Sequence, residues 1–264
     1  MFFTPIIPYV DPSRKLIDSL TSLGLTSGLQ LCLDAGDAAS YTSGQVWTDR
    51  SGNGYNFNRG SGSGSDAADP TFNGAAGGDS SSEYWSFDGS DYFTLGQANP
   101  TWVNNIHKNN AAATLACWLY PTGAGILMGD YSTTAPMFEF YITSASKLSF
   151  YVNDGTAGPS GDVVELHMSA SIPLNQWVFA AISIDEAAGS FILQTNATQE
   201  TLSATYNGPS SSNANNIVKI CADGDAVNAV PSGTRLNGYM AWNAALSGAD
   251  LNAIYAAQKA KFGL

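Results

Sequence analysis

Met137-Phe-Glu-Phe-Tyr-Ile142 and, after a short turn, Lys147-Leu-Ser-Phe-Tyr-Val152 decide the fold class. In the first run Phe138, Phe140 and Ile142 alternate with Met137, Glu139 and Tyr141. In the second, Leu148, Phe150 and Val152 alternate with Lys147, Ser149 and Tyr151. Successive side chains of a strand point to opposite faces, so a period of two predicts strands with one dry and one wet face. The short spacer joins them as a hairpin. Working outward, residues 113–120 and 177–184 are apolar on both faces and are expected as central strands. Leu29, Leu31 and Leu33 alternate with Gln30, Cys32 and Asp34, and further strands are expected near 84–88, 91–95, 163–168, 190–195, 217–221 and 236–242. Many short strands separated by turns predict an all-β sandwich or barrel.

Composition agrees. The chain has 264 residues, 44% hydrophobic and 12% charged, with 27 glycines. That is enough chain to bury a core without disulfides, and enough turn residues to connect many strands. The net charge is −12, with only 10 lysines and arginines and no cluster of them. A nucleic-acid backbone or an anionic membrane surface is repelled by such a chain. No apolar run approaches the length of a membrane span. Cys32, Cys117 and Cys221 each sit inside an apolar run, without metal-ligand spacing, and are expected as buried free thiols.

The ends differ from the middle. Residues 1–11 predict an extended arm, because Pro5 and Pro8 disfavour helix, and the absence of a basic stretch argues against a signal peptide. A short helix is expected next, with Asp11 as its cap, Pro12 in its first turn and Gly24 at its end; Leu16, Ile17, Leu20 and Leu23 form its apolar stripe. A second helix closes the chain, with Ser247 as N-cap, Asp250 completing a capping box, and Leu251, Ile254, Tyr255 and Phe262 on its apolar face. Residues 59–81 and 205–216 are rich in Gly, Ser, Asn and Asp and are expected as surface loops within one sheet system, not as linkers.

Several of these segments together resemble the laminin-G-like, or concanavalin-A-like, lectin/glucanase superfamily. They are Leu31-Cys-Leu-Asp-Ala35 with Trp47-Thr-Asp-Arg-Ser-Gly-Asn-Gly-Tyr55, Phe87-Asp-Gly-Ser-Asp-Tyr-Phe-Thr-Leu95, Ala113-Thr-Leu-Ala-Cys-Trp-Leu-Tyr-Pro121, Asn175-Gln-Trp-Val-Phe-Ala-Ala181, and Leu236-Asn-Gly-Tyr-Met-Ala-Trp-Asn-Ala-Ala-Leu-Ser247. The resemblance implies a jelly-roll β-sandwich over residues 28–264, with residues 1–27 as an N-terminal arm and helix outside it. A domain of this type with such an extension resembles bacteriophage virion proteins of the head-decoration or tail kind. There the extension docks on the particle, with Phe2, Phe3, Ile6, Ile7 and Val10 as the anchoring side chains.

The chemistry in the sequence points to binding. Glycoside hydrolases of the superfamily carry paired acids on one strand; here Glu139 is the candidate, with no second acid two or four residues on. His107 falls in a polar stretch and is expected to be exposed, His167 alternates on a strand, and no nucleophile elbow accompanies them. For a glycan, Trp102, Tyr131 and Tyr206 in loop-like stretches are the stacking candidates. Calcium is the one cofactor considered, with Asp130, Asp223 and Asp225 as its oxygen ligands. The expected function is therefore a non-enzymatic virion structural protein that displays a lectin-like sandwich. Its expected partners are other virion proteins through residues 1–27, copies of itself, and a cell-surface glycan. The alternatives are a free extracellular carbohydrate-binding or adhesion module and, third, a glycoside hydrolase.

Overall fold

The computed structural model describes residues 15–156 and 159–264. Phe2, Phe3, Ile6, Ile7 and Val10, and the helix start expected at Asp11 and Pro12, lie outside the described residues. In chain order the elements are α1 (Leu16–Leu23), β1 (Leu29–Asp34), β2 (Val46–Trp47), β3 (Phe57–Arg59), β4 (Thr71–Asn73), β5 (Tyr84–Ser86), β6 (Phe93–Leu95) and α2 (Thr101–Asn105). They continue with β7 (Ala112–Tyr120), β8 (Gly125–Gly129), β9 (Met137–Ile142), β10 (Lys147–Asn153), β11 (Asp162–Ser171) and β12 (Val178–Asp185). Last come β13 (Ser190–Thr195), β14 (Thr198–Ser203), β15 (Lys219–Ile220), β16 (Arg235–Trp242) and α3 (Gly248–Gln258).

The strands form two eight-stranded sheets. The first runs β14-β13-β12-β7-β16-β5-β4, with β1 also paired to β16; the second runs β11-β10-β9-β8-β15-β6-β3-β2. Every pairing is antiparallel, and the hairpin read from the sequence is β9–β10, with Phe140 opposite Phe150. Strands β7 and β12 are central, as their two-faced apolar pattern predicts. Strands β8 and β14 had no clear period-two signature. Residues 59–81, expected as loop, contribute β4, the edge strand of the first sheet.

Two apolar layers explain why the central strands are apolar on both faces. Leu115, Cys117 and Leu119 of β7, and Ala180, Ile182 and Ile184 of β12, pack between the sheets with Trp47, Trp85, Phe93 and Phe140. The alternate residues, Ala116 and Trp118 of β7 and Phe179 and Ala181 of β12, face the opposite way. There they meet Leu16 and Leu20 of α1 and Leu251, Ile254 and Phe262 at the chain end. Both terminal helices thus cover the outer face of the first sheet. Among the described residues no helix covers the outer face of the second sheet.

The N-terminal helix packs on the outer face of the first sheet. Helix α1 begins at Leu16, whose N–H donates to Asp34 Oδ2 at 2.9 Å. Trp242 Nε1 donates to the Leu25 carbonyl at 2.8 Å, and Gln258 Nε2 of α3 donates to Ser19 Oγ at 2.6 Å. The helix lies close because Gly238 has no side chain: a Cβ there meets Leu16 Cδ1 at 2.4 Å and the Leu33 carbonyl oxygen at 2.9 Å. Gly24 ends it in the left-handed region at φ +72°. At the other terminus the capping box of Ser247 and Asp250 forms as expected.

Candidate functional site

The segment Trp47–Tyr55 folds around one carboxylate. Asp49 Oδ1 accepts from the N–H groups of Cys32 at 2.9 Å and Ser51 at 2.8 Å, and Asp49 Oδ2 accepts from the Tyr55 N–H at 3.2 Å. Asn53 Nδ2 donates to the Leu29 carbonyl at 2.9 Å, clamping the turn to β1. Short polar side chains that hydrogen-bond nearby backbone groups are what such turns require. The result is that Tyr55, half-buried, stands at the end of the sandwich where β1, β7 and β16 meet.

Three other segments converge there. Helix α2 packs Trp102 and Val103 inward and leaves Asn105 exposed. Asn110 takes a left-handed backbone, φ +59°, and its N–H donates to Glu186 Oε2 at 2.6 Å. Asn243 directly follows β16, its N–H bonded to the Gly28 carbonyl at 3.0 Å. With Gln30, these residues line a cleft of about 360 Å³. Among the described residues no charged side chain lines it. Each primary amide offers two donors and one acceptor oxygen. Beside the half-buried Tyr55 ring, the Asn105, Asn110 and Asn243 amides present what hydroxyl groups on a neutral ligand pair with.

The aromatic residues expected to stack on a glycan are placed differently. Trp102 belongs to this cleft but is only 6% exposed, so its ring is core and not a platform. Its centroid lies 6.3 Å from that of Tyr55. Tyr206 is also buried: its hydroxyl donates to the Ile106 carbonyl at 2.7 Å and its ring packs on Phe191. His107, expected in solvent, is fully buried, with Nε2 3.0 Å from the Ser212 carbonyl and burial lowering its pKa. For Tyr206 and His107 the cause is the loop 205–216, which folds back over the α2–β7 connection. Tyr131 is half-buried in the loop after β8, where its carbonyl accepts from Asn216 Nδ2.

The three candidate calcium ligands lie on neighbouring loops, and each accepts hydrogen bonds from the protein, although Asp130 Oδ2 has no partner among the described residues. Asp223 accepts from the Val227 N–H at 2.8 Å and from Asn228 Nδ2 at 2.6 Å. Exposed Asp225 accepts from Asn216 Nδ2, which also donates to the Tyr131 carbonyl. Asp130 accepts from the Phe138 N–H at 2.9 Å, and complete burial pushes its carboxyl up to about 8, which favours the neutral acid. Among the described residues no three acidic, histidine or cysteine side chains are grouped to hold a metal.

One further constellation has the look of hydrolytic machinery. Ser149 Oγ is 2.7 Å from His167 Nδ1, and His167 Nε2 is 3.5 Å from Glu165 Oε1. Ser149, however, is completely buried, so its hydroxyl is closed to a substrate. Its hydroxyl also bonds the Lys147 carbonyl at 3.2 Å.

The comparisons with known proteins agree with this architecture. Residues 87–252, more than half of the chain, match the family profile described as the concanavalin A-like lectin/glucanases superfamily. No curated protein matches the chain in sequence. Among solved structures, the binding domain of botulinum neurotoxin serotype D is similar with a TM-score of 0.59 at 12% identity, over 91% of this chain and 53% of that one. The binding domain of botulinum neurotoxin DC, solved in complex with rat synaptotagmin II, gives 0.58 at 11% identity, over 88% and 52%. The binding domain of Paraclostridial Mosquitocidal Protein 1 gives 0.56 at 12%, over 87% and 52%. The chain spans about half the length of these domains, and at such identity the likeness is one of fold. With its two antiparallel sheets, its terminal helices and this match, the chain belongs to the concanavalin A-like lectin/glucanase superfamily.

Proposed function

We propose that the chain is a non-enzymatic recognition domain whose uncharged cleft beside Tyr55 binds a neutral saccharide at a cell surface. The observation that carries this reading is the convergence of the Asn105, Asn110 and Asn243 amides with one half-buried aromatic ring in a cleft free of charge. A chain of net charge −12 that keeps one cleft uncharged favours a neutral polar ligand over an ionic one. Aromatic faces and amides are the groups that suit an amphipathic sugar ring.

The wider setting belongs to the same proposal. Display on a virion, with tethering through the segment that carries Phe2, Phe3, Ile6, Ile7 and Val10, is supported by the apolar, proline-broken character of that stretch. Because α1 is built into the sandwich, the tether is confined to residues before Lys15. Self-association is part of this setting.

The test is titration of the purified chain with neutral oligosaccharides on an array, followed by calorimetry. Exposed Asn105→Ala and Asn243→Ala should each weaken the best ligand about 3- to 10-fold, the worth of one net hydrogen bond, without lowering the melting temperature, and Tyr55→Ala should weaken it as much at some cost in stability, since its ring also packs on the core. Failure of every neutral saccharide to bind, or unchanged affinity in all three variants, would overturn the reading.

A further inference from the structure

The outer face of the second sheet holds a different cleft. Phe138 and Phe140 point into the core, so Glu139 between them points outward. Its neighbour across β8 is Gly129, which leaves one flank of the carboxylate without a side chain; its neighbour on β10 is Tyr151. Glu139 lies in a cleft of about 520 Å³ that Ile126, Tyr141, Thr143, Ser144 and Asn228 also line. Among the described residues no hydrogen-bond donor reaches the Glu139 carboxylate, and no lysine, arginine or histidine lines the cleft. Burial, and then the charges of Asp223 and Glu165, push this acid up to about 7. A carboxylate held half-buried, with negative neighbours and no partner, is a place where a cation relieves an existing electrostatic cost.

The geometry points to a site for an amino sugar, a saccharide whose free primary ammonium pairs with Glu139 while its hydroxyls face Thr143, Ser144 and Asn228. Ile126 and the Tyr141 ring supply the apolar wall for the sugar's carbon face. The Tyr141 hydroxyl donates to Glu165 Oε1 at 2.8 Å, which fixes the ring beside the carboxylate. This second site deepens the saccharide reading but uses none of the residues of the Tyr55 cleft. The two therefore fail separately.

The experiment is calorimetric titration of the intact chain with the trimer of β-1,4-linked glucosamine, with its fully N-acetylated counterpart, and with lysine amide. The free-amine trimer should bind at least about 10-fold more tightly than the acetylated one, as a charge-assisted pair requires. Glu139→Gln should abolish that preference while its melting temperature stays equal or rises, since the variant is isosteric and removes a buried acid. Tyr55→Ala should leave the preference intact. Equal binding of the two trimers, or an unchanged preference in Glu139→Gln, would overturn the site. Lysine amide binding as tightly as the free-amine trimer would overturn the sugar assignment.

Discussion

The ring of Phe262, near the end of the chain, lies on the ring of Trp118 at the centre of the first sheet, with centroids 4.1 Å apart and planes 15° apart. Trp118 is fully buried there, although its indole N–H has no partner among the described residues. Packing of this aromatic layer, with Phe179 at 5.3 Å and Tyr255 at 5.9 Å from the Trp118 centroid, offsets that unmade hydrogen bond.

Phe262→Ala should therefore destabilise the domain by about 3–5 kcal/mol, the cost of emptying a large aromatic site. The measurement is the urea midpoint at constant slope. A midpoint that does not move would mean that the last turn is not part of the cooperative unit.

Gly238→Ala should be costly out of proportion to one methyl group. The added Cβ meets both a side chain and a backbone oxygen, and the strand β16 is paired on both sides. Overpacking of this kind costs about 1–3 kcal/mol. Leu16→Ala in the same background should show favourable coupling in a double-mutant cycle, because the shortened side chain vacates the contested space.

Truncation separates tether from body. On the tether proposed above, removing residues 1–14 should block joining to a particle and cost less stability than the longer cut. Removing residues 1–27 should destabilise the domain, since Cys32, Met240 and Trp242 lose the cover of Leu16 and Leu20. Equal stability of the two truncations would contradict the docking of α1.

Asp130 should make stability depend on pH. Its carboxyl ionises at 3.8 ordinarily and at about 8 in the fold. Between those values the native state holds a proton that the unfolded chain has released. The contribution is thus full at low pH and is lost as pH rises through about 8. Asp130→Asn should flatten the fall in melting temperature between about pH 5 and about pH 8. An identical slope in wild type and variant would refute the assignment.

Cys32, Cys117 and Cys221 are all buried, and burial pushes each thiol up. A thiol reagent should label them at the rate of unfolding and no faster. Rapid labelling of the native chain at any one of them would show an opening in the core.

Residue order by itself determined an all-β chain of the sandwich or barrel kind, the β9–β10 hairpin, the central place of β7 and β12, and the capped C-terminal helix. These depend on periodicity and on local hydrogen bonding, which neighbouring residues in the chain carry. Tertiary structure alone decided the sites. Tyr206 and His107 lie in polar stretches, and nothing local tells that residues 205–216 fold over the α2–β7 connection. The amides at Asn105, Asn110 and Asn243 have no periodic signature, and they meet Tyr55 only because β1 and β7 both pair with β16. Glu139 carried no second acid on its own strand, yet cross-strand and loop packing brings Glu165 and Asp223 near enough to shift it. Interactions between groups far apart in the chain leave no trace in any short window of it, so a cleft becomes legible only when the sheets are assembled.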